Sequence, residues 1–437
     1  MVAAARKMHL CAYLKTCATA SYAPAWRHPA ATLNDIWDPE RYEHLARTLE
    51  AARFDVAFFA DGLGVSDLYR GSYADYLGRG GQTSLLDPMT VLPLMARATT
   101  HLGIAPTLST TFHQPYHLAR SLGSLDLISK GRVAWNVVTS SSNYEALNFG
   151  ETTIPPKDER YDRGDEVLEA CFALWDCWDA DAVVLDRERG MFVDTDKVRR
   201  ANYRGRFVQT RGPMSIPRSP QGRPVIMQAG SSPRGREFSA RWAELIFCSQ
   251  ATKEDSREFR EDMRARLEAV GRDPDGCAVL PSVTVVIGET ESIAREKAAY
   301  LDSLTDPELV MASSSALLGL DLSAVETAEQ VEVAAGNQGI AGSRDRMTQV
   351  ARAQGISFAQ AVRKPRGLVA GTPKMIADVL EDWFTSGACD GFVLPWAVFP
   401  GTYEDFARMV TPELQRRGLL RTEYAGRTLR ENIQNPG

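Results

Sequence analysis

The chain has 437 residues, 44% of them hydrophobic and 24% charged, with a formal net charge of −6, which excludes a disordered, collagen-like or coiled-coil protein. Fifty Lys and Arg against 56 Asp and Glu leave a mildly acidic surface without a basic run to track a phosphate backbone, so nucleic acid is not an expected partner. Seven cysteines with no C-x-x-C pair argue against a zinc site or disulfide framework, and the apolar stretch before Lys15 is too short for a signal or spanning segment, so the expectation is a cytoplasmic protein, not a membrane one.

In chain order, nearly continuous apolar runs predict strands at His9–Leu14, 55–60, 101–106, 131–139, 224–229, 244–249, 278–287 and 390–395. Unbroken runs of this kind suit parallel strands covered on both faces. Helical patterns lie between them. Phe259, Met263 and Leu267 repeat on one face, and Ile376, Val379, Leu380, Trp383 and Phe384 repeat on another before Gly387 closes the helix. Strand followed by helix, eight times, predicts the α/β class and a closed (β/α)8 TIM barrel, although spacing alone also admits an open doubly wound sheet. Stretches near 62–86, 180–223 and 302–370 exceed ordinary connections and are expected as insertions over a pocket at the C-terminal face of the strands. One elaborated domain spanning 1–437 is the expectation, with the polar tail after Arg421 over the surface or against a neighbouring subunit.

Two glycine motifs mimic phosphate binders and fail as such. Gly62-Leu63-Gly64-Val65-Ser66-Asp67 follows a strand but has Asp67 where a dinucleotide fingerprint needs its third glycine. Gly230-Ser231-Ser232-Pro233-Arg234-Gly235 has the outer spacing of a P-loop, with Arg236 and Glu237 where Lys and Ser/Thr are required. The second is still the best anion site in the chain, because a strand runs into Ser231 and Ser232 and Pro233 occupies the first helical position, leaving helix amides unpaired. Ser231 or Ser232 acting only as a helix cap is the plain alternative. Arg234 and Arg236 add positive charge nearby.

Asp61 ends an apolar strand, where a barrel displays functional side chains, and equally suits a turn. Asn136 sits inside a strand and needs a hydrogen-bond partner if buried, with Thr139 to Ser142 just beyond it. His113 and His117 stand four apart, but Pro115 between them and the lack of an intervening Glu disfavour a metal site. His28, in Trp26-Arg27-His28-Pro29 on the loop after the first strand, is placed to face a pocket.

Strand-end Asp61, Thr107-Leu108-Ser109-Thr110, Leu125-Asp126 with Ser129, Gly131-Arg132 and Trp135-Asn136, Thr139-Ser140, Asn148-Phe149-Gly150, Glu159-Arg160-Tyr161 and Gln228-Ala229-Gly230-Ser231-Ser232 together resemble the nitrilotriacetate and dibenzothiophene-sulfone monooxygenase group of the bacterial-luciferase-like flavin enzymes. Gly371-Thr372-Pro373, Asp390-Gly391-Phe392 and Thr428-Leu429-Arg430-Glu431 extend the resemblance over nearly the whole chain. It implies a (β/α)8 barrel that takes reduced FMN from a separate NAD(P)H:flavin reductase and oxygenates a small-molecule substrate with O2 through a C4a-peroxyflavin, as a homo-oligomer. By the same resemblance Asp61, Thr107, Asn136 and Ser140 line the isoalloxazine and ribityl parts, Tyr161, Ser231 and Ser232 hold the phosphate, and His28 is the substrate-side acid, base or hydrogen-bond donor. Lys157 stands where relatives often have a histidine four residues before the tyrosine, and Ser141-Ser142-Asn143 where some have a histidine near the flavin. Two alternatives share the barrel: a deazaflavin-dependent hydride-transfer enzyme, and a flavin-binding protein without catalysis.

Overall fold

The computed structural model describes residues 6–19, 25–250, 252–325, 330–331, 339–363 and 368–434. Eight strands form one parallel sheet: β1 (His9–Leu14), β2 (Val56–Phe59), β3 (Gly103–Ser109), β4 (Ala134–Val138), β5 (Val225–Gln228), β6 (Leu245–Cys248), β7 (Ala278–Pro281) and β8 (Gly391–Pro395). They pair in the order β7-β6-β5-β4-β3-β2-β1-β8. The two ends of that order meet: Asp390 donates its N–H to the Val279 carbonyl at 3.0 Å, and Val283 donates to the Val393 carbonyl at 3.0 Å. The sheet therefore closes into a barrel, which decides against the open doubly wound alternative.

The barrel helices are α1 (Pro39–Ala51), α2 (Pro88–Ala98), α3 (Pro115–Ile128), α4 (Lys157–Trp175), α5 (Pro233–Trp242), α6 (Lys253–Ala269) and α7 (Pro373–Thr385), with a helical run over 401–416 after β8. Local sequence sets their starts. Proline opens α1, α2, α5 and α7 behind Asp38, Asp87, Ser232 and Thr372, whose side chains accept from the first-turn amides.

Side chains alternate across each strand. Ile104, Trp135, Val137 and Ile226 face the helices, while Val56, Phe58, Ala105, Ala134, Val225 and Met227 fill the barrel interior. The same parity carries Thr107 and Ser109 inward from Ala105, and Asn136 inward from Ala134, at the C-terminal mouth of the barrel.

The expected strand over 278–287 is two strands. The chain breaks at Pro281-Ser282, and Thr284–Ile287 pairs instead with Leu368–Gly371 in a separate two-stranded sheet. A proline cannot donate to a ladder, so Pro281 inside the run was the signal. Residues 180–223 carry two short hairpins, Val183–Asp186 with Met191–Val193 and Tyr203–Arg204 with Gln209–Thr210. The stretch after β7 carries helices Glu291–Ser303, Pro307–Leu318, Ala341–Gln354 and Phe358–Arg363. Met311, Leu318, Leu320 and Phe358 there share a core with Tyr69 and Tyr76 from the stretch after β2. Ion pairs stitch the two stretches together, Arg79 to Asp306 at 2.8 Å and Arg70 to Glu308 at 3.0 Å.

The tail after Arg421 is not a surface arm. Leu429 is fully buried in the barrel-interior cluster, Arg421 pairs with buried Asp55 at 2.6 Å, and Arg430 pairs with Glu244 at 2.7 Å, so this segment closes the floor of the barrel. All seven cysteines are buried and unpaired. Among the described residues no helix is long and apolar enough to cross a membrane, and no group of three or more His, Cys, Asp or Glu is placed to hold a metal ion.

Candidate functional site

Thr107 and Asn136 face each other on neighbouring strands because β3 and β4 pair with these two residues in register. Asn136 donates its amide N–H to Thr107 Oγ1 at 2.9 Å, and Thr107 passes its own hydrogen to the Phe59 carbonyl at 2.7 Å. This fixes the amide orientation and leaves Asn136 Oδ1 buried with no donor among the described residues. A buried acceptor without a donor costs about 1–3 kcal/mol, and a ligand N–H arriving at the mouth would recover it.

Beyond β4 the chain turns sharply at Ser140, which holds a left-handed φ of 51°. Non-glycine residues adopt that conformation when surrounding contacts fix it. Here Ser140 Oγ donates to Ser109 Oγ at 2.9 Å and the Arg160 guanidinium holds the Ser140 carbonyl. Asp61, Leu63, Thr107, Ser109, Val138, Ser140 and Glu145 together line one narrow cleft. Three residues singled out in the sequence, Asp61, Thr107 and Ser140, thus share a cavity, and Asn136 is bonded to one of its walls.

Glu145 was not anticipated. It is buried on the short helix Asn143–Asn148, and its carboxylate accepts from the N–H of Leu63 at 3.1 Å and of Ser141 at 3.4 Å, tying the loops after β2 and β4. Burial pushes both the Asp61 and Glu145 carboxyls above their ordinary range, and Asp61 adds to the shift of Glu145. The carbonyl of Ser141 accepts from Gly339 N–H at 2.9 Å, so the insertion after β7 touches the turn next to the cleft residue Ser140.

The second cluster sits at the start of α5. Ser232 caps that helix, accepting from Gly235 N–H at 3.2 Å, which leaves earlier amides and Ser231 free of a helical partner. The Tyr161 hydroxyl is in hydrogen-bond contact with the side chains of Ser232 and Gln228. Gln228 faces α5, where its Oε1 accepts from Gly230 N–H and Ser239 Oγ, each at 2.5 Å. Gly230 and Gly235 are pressed together: a Cβ on Gly230 would lie 2.9 Å from Gly235 Cα, and one on Gly235 would lie 2.9 Å from the Tyr161 hydroxyl. Only glycine leaves this cradle open. The expected positive charge is already committed, since Arg234 pairs with Asp165 at 2.6 Å and Asp162 at 3.0 Å, and Arg236 pairs with Asp262 at 2.9 Å. The α5 dipole, amides and hydroxyls make up the anion-binding character.

One element joins the clusters. Arg160 and Tyr161 are consecutive in α4: the first reaches the β4 turn at Ser140, the second the α5 start at Ser232. Lys157 is the first residue of that helix.

His28 makes its described contacts outside these two clusters. Its ring stands edge-on to Tyr300 at 5.4 Å, and its Nδ1 accepts from Ala30 N–H at 3.1 Å. Burial and Lys297 lower its pKa, and the accepting Nδ1 places its proton on Nε2. None of its described contacts is with the cleft residues.

A model of the luciferase-like monooxygenase family matches residues 20–389. The chain is 40% identical to a dibenzothiophene-sulfone monooxygenase of Rhodococcus erythropolis (strain XP), over 98% of this chain and 96% of that one. It is 37% identical to nitrilotriacetate monooxygenase component A of Aminobacter aminovorans, over 93% of this chain and 92% of that one. The crystal structure of a riboflavin lyase with modified FMN and substrate riboflavin superposes with a TM-score of 0.88 at 32% identity, covering 98% of this chain and 96% of that chain.

Proposed function

The chain belongs to the luciferase-like monooxygenase family, and from that membership we propose that it is the oxygenating component of a two-component system that takes reduced FMN from a separate NAD(P)H:flavin reductase and uses O2 to oxygenate a small organic molecule. The observation that carries this reading is the pairing of an inward-facing polar cleft with a helix-start anion cradle, joined by Arg160 and Tyr161 on one turn of α4. A ligand with a hydrogen-bonding ring system at one end and a phosphate at the other matches both. The dibenzothiophene-sulfone and nitrilotriacetate relatives, and the solved neighbour with modified FMN, support it.

In this reading Asp61, Thr107, Asn136 and Ser140 hold the ring and ribityl portion, with Asn136 Oδ1 free to take a ring N–H. Tyr161, Ser231, Ser232 and the first amides of α5 hold the phosphate. Neutral donors and a helix dipole suffice for that group, because Arg234 and Arg236 are engaged with carboxylates. Bound in its reduced form, the flavin supplies the electrons that activate dioxygen. The chain's own part is to orient and to exclude water, and the apolar core shared by Tyr69, Tyr76, Met311 and Phe358 is the part of the chain from which a dry cover would be built. His28 presents a neutral ring with an Nε2–H and enters as the substrate-side hydrogen-bond donor; a His28→Ala variant with unchanged coupling of oxygen use to product would remove it from that role.

The deciding experiment is an anaerobic titration of the protein with reduced FMN and, separately, a reduced deazaflavin. Tight FMN binding followed by oxygen consumption that depends on an added organic substrate is the expected result. Binding of the deazaflavin alone overturns the reading in favour of hydride transfer, and FMN binding with no oxygen chemistry on any substrate points to a non-catalytic flavin binder.

A further inference from the structure

The peptide unit between Ser140 and Ser141 is gripped at both ends by side chains of opposite charge. Its carbonyl accepts from the Arg160 guanidinium, whose Nη1 also reaches the Thr139 carbonyl at 3.4 Å and whose Nε donates to the Pro155 carbonyl at 3.0 Å. Its N–H, contributed by Ser141, donates to Glu145 Oε2 at 3.4 Å, while Glu145 Oε1 takes the Leu63 N–H at 3.1 Å. The cation thus sits on the negative pole of the peptide and the anion on the positive pole. Both residues are buried, Arg160 at 3% exposure and Glu145 at 7%, and they come from separate elements, α4 and the short helix Asn143–Asn148. The gripped unit follows the left-handed Ser140, φ 51°, whose Oγ donates to Ser109 Oγ at 2.9 Å in the cleft wall. A serine without such restraint rarely holds that conformation, and relaxing it to an ordinary one carries its Oγ away from Ser109.

Resting on the flavin reading above, we propose that Arg160 and Glu145 are a pair of positioning residues: by clamping the Ser140–Ser141 peptide they hold Ser140 where the ring end of the flavin meets it, acting through that peptide rather than on the flavin itself. Charge-assisted bonds at both poles fix the peptide plane more firmly than either one alone. Arg160 serves the ring end in this way, while Tyr161, the next residue of α4, serves the phosphate end. Glycine at position 140 supplies the control. It takes a left-handed φ without steric cost and so depends less on the clamp.

Three comparisons on the full-length protein test this. In the flavin-free protein, Arg160→Met is expected to speed exchange of the Ser141 amide hydrogen about ten-fold, although an arginine cannot accept from that amide. Unchanged exchange overturns the clamp. In fluorescence titrations with oxidised FMN and with riboflavin, which keeps the ring and ribityl parts and lacks the phosphate, Arg160→Met is expected to weaken both by the same factor, about ten-fold. A loss confined to FMN makes Arg160 a phosphate contact and overturns the positioning role. In a Ser140→Gly background the same substitution is expected to cost less than about three-fold in FMN affinity. Equal losses in the two backgrounds belong to a merely structural residue and overturn the proposal. Glu145→Ala is expected to weaken FMN and riboflavin alike, and wild-type riboflavin affinity in that variant overturns the pairing of the two charges. Should Arg160→Met not fold, Arg160→Lys, with one nitrogen in place of the planar fork, carries the same comparisons, with smaller losses in the same pattern expected. Wild type that binds neither flavin overturns the flavin reading, and faster Ser141 exchange in the variant then leaves the clamp standing without that ligand.

Discussion

Asn136 carries an acceptor that the fold buries and then leaves unpaired. If a flavin N–H completes it, an Asn136→Leu variant, nearly the same size and without the orphaned oxygen, is expected to be as stable as wild type or more stable by about 1 kcal/mol, because the unmet desolvation disappears. The same variant is expected to bind FMN roughly ten-fold more weakly or worse. Urea unfolding and a flavin titration read the two effects separately, and a drop in stability with unchanged binding would make Asn136 purely structural. At the other cluster, Tyr161→Phe combined with Ser231→Ala is expected to weaken FMN by about 1–3 kcal/mol through lost bonds to phosphate. Unchanged affinity would show that the cradle lies elsewhere. In the sequence Asp61 stands out as a strand end, Asn136 as a polar residue within a strand, and Ser231 and Ser232 as a helix start, whereas Thr107, Ser140 and Tyr161 are proposed from motif resemblance alone. Glu145 does not stand out, because nothing between Ser142 and Asn148 records that Leu63 and Ser141 will aim their amides at it.

Elements in this barrel are positioned by buried polar ties at their ends. Asp126, on the last turn of α3, accepts from the N–H of Val133 at 2.9 Å, from Ser219 Oγ at 2.5 Å and from Gln221 Nε2 at 2.7 Å, joining α3, the entry to β4 and the stretch before β5. Burial nevertheless pushes its pKa up to about 6, the hydrogen bonds opposing the shift. The folded state therefore binds this proton more tightly than the unfolded chain. The resulting stabilisation is complete below the unfolded carboxylate range and is lost as pH rises through about 6, an effect on the order of 2–3 kcal/mol. Wild type should accordingly lose stability between pH 5 and pH 8 relative to Asp126→Asn in urea melts; parallel losses would assign the pH dependence to other groups. At this scale the apolar runs gave the barrel strands because core strands of a parallel sheet need apolar residues on both faces. The run over 278–287 misled because its second half is equally apolar but packs in another sheet, and apolarity does not state which partner a strand will have.

For the whole molecule, closure joins the first strand to the last and then seals the underside with the C-terminal segment. Leu429 fills the barrel end beneath Gly103, where a Cβ would come within 2.7 Å of it. Leu429→Ala should cost about 2–5 kcal/mol by opening a cavity that rigid strands cannot collapse into. Urea unfolding measures it, and a loss below about 1 kcal/mol would mean that the tail merely rests on the barrel. The eightfold alternation favoured the closed architecture without excluding an open sheet, which only the hydrogen bonds between the strand-order ends decide, whereas the role of the tail was not legible at all. Its residues are polar in sequence, and their burial rests on pairings with Asp55 and Glu244 far earlier in the chain.

That arrangement bears on how the protein is made. As the polypeptide leaves the ribosome, the strands from β1 to β7 are available long before β8 and the sealing segment, so both margins of the growing sheet stay unpaired and its lower opening stays wet until those two parts emerge. A nascent chain released before that point would expose those margins to other molecules.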